Sequence, residues 1–277
     1  MPTEYFEQRE RALLGPRYQQ LYAAPQQTAE RGVTVSALRT TPEQFAQRAD
    51  FPLEPSPFCK AAFVVHQPDF KPGRHPYHHA GVFYSQEPSA SSAAPLLGVQ
   101  PGMRVLDLCA GSGCIGLAIA SQVPGARVVL GELDEGALRI CRQNIRRNSL
   151  SGQVVSLKMD ALSDPPPRLG DFDCLVCNPP YIPSGDIAGL DVSVRDYEPH
   201  LALDGGTDGL DFYRSVCRRW RDVLHTGSRL AFEVGIGQAD DVLRLMRGEG
   251  FGELEILPDP AGIPRVVTGL RYREVYA

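Results

Sequence analysis

In this 277-residue chain, Asn178-Pro179-Pro180-Tyr181 is the stretch whose residue types and order could carry chemistry. It follows Phe172-Asp173-Cys174-Leu175-Val176-Cys177, a short apolar run of the kind a buried parallel strand needs. Two prolines have no N–H to donate, so sheet pairing must stop there. Asn178 and Tyr181 are thereby left at the strand's carboxyl end, where open α/β sheets bind ligands. The Asn178 side chain and the Pro179 carbonyl can both accept from a planar –NH2 group, and the Tyr181 ring can stack over its plane. Such a trio suits an amide or exocyclic amine whose nitrogen must be held, desolvated and aimed.

A second constellation lies upstream. Met103-Arg104-Val105-Leu106-Asp107-Leu108 reads as a strand, Cys109-Ala110-Gly111-Ser112-Gly113 as a turn, and Cys114 to Ala120 as a helix. Glycines at a strand-to-helix turn let a ligand approach backbone that a Cβ would shield. The next strand, Arg127 to Glu132, ends in an acid 19 positions past Gly113, a spacing suited to a ribose diol. Asp107 at the turn repels phosphate, so a phosphate-free adenosine such as S-adenosyl-L-methionine (SAM) fits better than a nucleotide. Asp107 either meets the cationic end of the methionine moiety or orients the glycine turn. A third strand, Val154 to Lys158, leads to Asp160, expected beside the adenine.

The elements that position these residues repeat one unit. Asp134 is expected to cap a helix with Ala137, Leu138, Cys141 and Ile145 on one face. The segment after Tyr181 runs to Gly209, too long for an ordinary connection and therefore functional. Leu210, Tyr213, Cys217, Trp220 and Leu224 recur at helical spacing, as core. A strand over Arg229–Val234, a helix over Ala239–Arg247 and strands over Leu254–Pro258 and Arg265–Arg271 complete the series. Seven strands with interleaved helices predict an α/β fold, a mostly parallel sheet with one antiparallel edge strand.

Residues 1–95 have a different texture, with eleven prolines before Pro95. A helix over Phe6–Leu21 is broken at Gly15-Pro16, a strand covers Gly32–Leu38, and Thr41-Pro42 starts a helix to about Arg48. This is a small α+β module, and residues 96–277 form the larger domain. His75, His78 and His79 lack an accompanying Cys or acidic cluster, so no metal is expected. Cys174 and Cys177, three apart in a strand, point to opposite faces and do not read as a zinc site. Seven scattered cysteines argue against a disulfide scaffold and for a reducing cytoplasm. No apolar run reaches the roughly 18 residues of a membrane span. The net charge of −5 arises wholly beyond residue 100, since residues 1–100 hold nine Lys/Arg and nine Asp/Glu. Neither half carries the basic surplus of a protein that lives on phosphate backbones. Arg139, Arg142, Arg146 and Arg147 on one helix read as a solvated face.

From about Arg104 to Arg271 the chain resembles the bacterial peptide-chain release-factor glutamine methyltransferases. The resemblance is carried by Val105-Leu106-Asp107-Leu108 with Gly111-Ser112-Gly113, by Cys177 to Pro183, by Tyr197-Glu198-Pro199, by Ala202 to Leu210, and by Asp259-Pro260-Ala261-Gly262 with Arg265-Val266-Val267. It implies the seven-stranded SAM-dependent methyltransferase (Rossmann-like) sheet, with SAM as cofactor held by Asp107, Gly111, Gly113, Glu132, Asp160 and Asn178. Asn178, Pro179, Pro180, Tyr181 and Glu198 would meet the substrate glutamine of a peptide chain release factor, with Asn178, Pro179 and Tyr181 as the catalytic set. Before residue 104 the resemblance changes. Arg31–Val35, Pro72–Gly81 and Gln86–Ala90 are similar to the segment preceding the core in RNA 5-methylcytosine methyltransferases of the NOL/NOP/Sun type. Those enzymes use a cysteine in a Pro-Cys pair at the fourth strand's end. This chain has Asn178-Pro179 there and no Pro-Cys dipeptide, so carbon-5 chemistry has lost its nucleophile. The reading is a hybrid that N-methylates a glutamine amide. The alternatives are an RNA methyltransferase acting on an exocyclic base amine and a non-catalytic SAM-fold module.

Overall fold

A computed structural model describes residues 31–35, 39–56, 59–67, 70–71, 75–80, 82–85, 96–190, 192–196, 198–259 and 262–272. The helix expected over Phe6–Leu21 lies outside them. Four short strands, β1 (Arg31–Val35), β2 (Leu53–Pro55), β3 (Ala62–Val65) and β4 (Phe83–Ser85), form an antiparallel sheet in the order β2-β3-β1-β4. Helix α1 (Pro42–Arg48) begins as its sequence dictates: the Thr41 hydroxyl accepts from Gln44 N at 3.2 Å, and Pro42 takes a position whose N–H has no helical partner anyway. Phe45 on α1 packs edge-on or tilted against Phe51, Phe63, Tyr77 and Phe83. A second helix, α2 (Pro76–His79), is capped by His75, whose Nδ1 accepts from Tyr77 N while Nε2 lies 3.3 Å from Asp50 Oδ1. His75 is therefore a capping residue.

The larger sheet comprises β5 (Arg104–Leu108), β6 (Arg127–Glu132), β7 (Val154–Lys158), β8 (Phe172–Cys177), β9 (Leu224–Glu233), β10 (Phe251–Pro258) and β11 (Pro264–Arg271). Their order is β10-β11-β9-β8-β5-β6-β7. β7, β6, β5, β8 and β9 run parallel; β10 and β11 pair as an antiparallel edge hairpin, and β11, the reversed strand, is inserted beside β9. The helices are α3 (Cys114–Gln122), α4 (Glu135–Arg147), α5 (Val192–Arg195), α6 (Asp211–Arg219) and α7 (Ala239–Gly248). Leu106, Leu108, Leu175 and Cys177 join one core layer with α6 and α7, whereas Val105, Cys174 and Val176 join the other with α3 and α4. The two-residue period of a strand thus sends Cys174 and Cys177 to opposite sides of the sheet.

Two sequence expectations shift. Leu224 belongs to β9 and not to the preceding helix: α6 ends at Arg219, and a 3₁₀ turn over Arg221–Val223 intervenes. Its helical spacing was a coincidence of burial, because a helix face and the start of a strand can present apolar residues to one core. β10 begins at Phe251, three residues early, and a register shift between Gly252 and Glu255 interrupts the alternation that marks a strand. Trp220, fully buried, donates its indole N–H to the carbonyls of Ala161 and Ser163, both at 3.1 Å. That bond ties the loop after β7 to the α6 layer, and truncating such a side chain costs about 3–5 kcal/mol.

Candidate active site

The strand order reverses between β5 and β8, the topological position where parallel sheets open a crevice. Leu108 registers with Cys177, and Cys177 with Phe232 of β9, so the residues just beyond β5 and β8 share that crevice. On the β5 side the chain turns through Cys109, Gly111 and Gly113, at φ of 60°, 57° and 85°. The two glycines serve different ends. A Cβ on Gly113 would lie 2.8 Å from Leu130 Cδ1, so this glycine exists to let the turn pack on β6. A Cβ on Gly111 would meet nothing within 4 Å, so its backbone faces open space, as a ligand-approach glycine must.

The acids around this turn are more committed than their spacing suggests. Asp107 is buried, and its Oδ2 accepts from Gly116 N in the first turn of α3 at 2.8 Å. This bond ties the end of β5 to the start of α3, past the glycine turn. Burial pushes its carboxyl up to about 7, opposed by the Gly116 bond and reinforced by Glu132 nearby. Glu132 Oε2 accepts from Gly111 N, and Oε1 from Leu133 N and Asp134 N, each at 2.8 Å. It bridges the ends of β5 and β6 before any ligand is considered. Asp134 caps α4 through Ala137 N at 2.7 Å. Asp160 folds the loop after β7 by accepting from Leu162 N at 2.9 Å and Ser163 Oγ at 2.8 Å.

On the β8 side, Pro179 and Pro180 are buried, while Asn178 and Tyr181 are half-buried. Among the described residues the Asn178 side-chain amide has no hydrogen-bond partner, so its polar atoms are available at the crevice. The long segment returns to the same place. Ile182 N donates to Leu203 O at 3.0 Å, Gly205 N to Ile182 O at 2.8 Å, and Ser184 N to Gly206 O at 2.9 Å. Asp204 closes this return by accepting from Ser184 Oγ (2.6 Å) and Gly206 N (3.0 Å), and the Ser184 bond foremost holds its carboxyl below the usual range. A Cβ on Gly205 would stand 2.8 Å from Tyr181 Cα and 2.9 Å from Pro180 O. The glycine-rich return is thus pressed onto the Pro-Pro-Tyr backbone. Glu198 sits exposed in this segment, with its own N–H bonded to Val194 O; among the described residues no side-chain bond ties it to Asn178 or Tyr181.

Gln238 was not anticipated. Its Nε2 donates to Tyr181 O at 2.9 Å and Gly209 O at 3.3 Å, and its Oε1 accepts from Gly235 N at 3.0 Å. The sequence signal was faint: a glutamine beside Gly235-Ile236-Gly237, a turn between a strand and a helix.

The sheet is that of the α/β methyltransferase fold, and residues 75–191 match the methyltransferase small domain. The part carrying this match is similar to release factor glutamine methyltransferases. That of Geobacter sulfurreducens is 46% identical over 167 residues, 60% of this chain and 57% of that protein. That of Clostridium acetobutylicum is 39% identical over 168 residues, 61% of this chain and 59% of that protein. The chain thus spans less than 60% of the length of these relatives. Residues 1–88 match instead the N-terminal domain of the 16S rRNA methyltransferase RsmF, so the chain joins parts of two kinds. The fold of NSun6 from Pyrococcus horikoshii, solved with SFG, superposes over 98% of this chain and 99% of its own with a TM-score of 0.75 at 12% identity. Among the described residues no helix is long and apolar enough to cross a membrane, and no group of three His, Cys, Asp or Glu could hold a metal ion.

Proposed function

We propose that the protein is a SAM-dependent methyltransferase that N-methylates the side-chain amide of a glutamine, in the Gly-Gly-Gln context of a peptide chain release factor. The observation that carries this is the unpartnered Asn178 amide beside two buried prolines, at the point where the parallel sheet changes direction. The residues fit the cofactor: Gly111 leaves open space over its backbone, and Glu132 and Asp160 stand at the ends of neighbouring strands. Glu132 would meet the ribose hydroxyls, Asp160 the adenine side, and Asp107 would set the turn against which the methionine moiety lies. When bound, SAM supplies a methyl on a positively charged sulfur.

An amide nitrogen is a poor nucleophile, because its lone pair is delocalised into the carbonyl. Accepting bonds at Asn178 and at the Pro179 carbonyl hold both N–H groups, turn the nitrogen out of conjugation and aim its lone pair. Tyr181 covers the amide plane and excludes water, so the fixed dipoles act in a dry site. Glu198 is assigned to the protein substrate's approach, from the exposed side of the long segment. The chain divides into a module of residues 1–95 and a catalytic domain of residues 96–277, located in the cytoplasm.

The second reading is methylation of an exocyclic base amine in RNA, with Tyr181 stacked on a flipped base. The match of residues 1–88 to the RsmF N-terminal domain favours it. One feature ranks it lower: residues 1–100 carry no net positive charge. Incubation with radiolabelled SAM and either release factor or ribosomal RNA decides between them. Label in the Gly-Gly-Gln peptide is expected; label in RNA alone overturns the ranking, and label in neither leaves the non-catalytic module.

A further inference from the structure

We infer that Gln238 is the positioning residue of this site: its side-chain amide fixes the backbone that presents Pro179 and Tyr181 to the acceptor nitrogen. The inference rests on the reading of Asn178 to Tyr181 as the acceptor clamp. Pro179 and Pro180 lack N–H groups, so the chain leaving β8 cannot anchor itself through its own donors there. Donors from other segments hold its carbonyls instead, Gly205 N at Ile182 O and Gln238 Nε2 at Tyr181 O, 2.9 Å away. Its other N–H reaches Gly209 O at 3.3 Å, and its Oε1 takes Gly235 N at 3.0 Å. One amide therefore joins three segments: the exit from β8, the end of the long return, and the turn between β9 and α7.

Gln238 stands immediately before α7, yet its side chain makes no capping bond to that helix. Its conformation serves the neighbouring segments instead. The glycines around it shape a slot for the amide. A Cβ on Gly209, at φ 74°, would lie 2.6 Å from Nε2 and still closer to the Tyr181 carbonyl oxygen. A Cβ on Gly235 would lie 2.6 Å from Oε1 and 3.0 Å from Tyr181 Cδ2, so the tyrosine ring also rests on this turn. Removing the amide frees the clamp while β5, α3 and the Glu132 bridge, which share no bond with Gln238, stay in place.

The test compares the full-length protein with Gln238→Met, of similar length but without bonds, and Gln238→Glu, which keeps the acceptor and sets an oxygen against two carbonyls. For Gln238→Met we expect kcat on a Gly-Gly-Gln peptide to fall about tenfold or more, with SAM affinity by calorimetry within about twofold. Amide hydrogen exchange should speed up at Ile182, Gly205, Gly209 and Gly235 and stay unchanged through β5 and α3. Gln238→Glu should lose more activity as pH rises and recover part of it as pH falls, because the protonated carboxyl regains a donor; the parent protein should lack this branch. Unchanged kcat and exchange overturn the inference, as does loosening that extends to β5 or abolishes SAM binding, which would mark a general structural role. If the parent protein transfers no methyl to the peptide, the proposed reaction fails, and the exchange comparison still decides the tether.

Discussion

Replacing Glu132 tests the cofactor side most directly, because the structure shows how much of the carboxylate is free. Two carboxylate oxygens offer about four acceptor directions. Three are taken by the N–H groups of Gly111, Leu133 and Asp134, each at 2.8 Å, leaving about one for a ribose hydroxyl. A hydrogen bond to a charged group contributes roughly 1.5–3 kcal/mol. Glu132→Ala deletes the ribose bond and also releases Gly111, so SAM affinity should fall about tenfold to a hundredfold, at 1.4 kcal/mol per tenfold. Stability should fall less, by about 1–2 kcal/mol, since Leu133 and Asp134 are exposed and water can replace their lost acceptor. Glu132→Gln should bind SAM almost as poorly, because its amide NH2 would face N–H donors. Calorimetric titration with SAM and urea unfolding read the two effects separately. Unchanged SAM affinity in Glu132→Ala would refute the assignment, and a loss in Asp134→Ala instead would move the ribose contact there.

Three further outcomes are expected. Asn178→Ala should reduce turnover on the order of a hundredfold or more while SAM still binds, and Tyr181→Phe should be milder than Tyr181→Ala, because covering the amide needs the ring and not the hydroxyl; equally dead Tyr181 variants would refute the stacking role. Gly209→Ala should abolish turnover before it unfolds the chain, since its Cβ would collide with the Tyr181 carbonyl and it would hold φ 74°, which costs an alanine about 1 kcal/mol; near-normal activity would count against the clamp. Asp107, raised to about 7 by burial, binds its proton more tightly folded than unfolded, so its contribution to stability is complete below the unfolded value near 4 and is lost as pH rises to about 7. Urea unfolding between these pH values should show stability falling by up to about 1.4 kcal/mol per pH unit, and Asp107→Asn, which keeps an acceptor for Gly116 N, should flatten that slope.

The strands and most helix starts were legible because each is written locally. An apolar run as short as Phe172–Cys177, a cap such as Thr41 or Asp134, and prolines that forbid pairing act through neighbours in sequence, and the elements lie accordingly. Local order also delivered the two constellations, since Gly111 follows β5, Glu132 ends β6 beside it, and Asn178 follows β8 on the other side. Only the tertiary structure decided which polar atoms are already occupied. Nothing in the spacing of Glu132 says that it holds Gly111, and nothing near Asp107 says that it holds the backbone of Gly116, nine residues on. Gln238 lies 57 residues beyond Tyr181, and its partners exist only once β8, β9 and the long return converge. Sequence pattern reports which residues an element buries, because periodicity is a property of one element. Hydrogen-bond satisfaction between elements depends on where the chain comes back to itself, and three-dimensional packing alone fixes that.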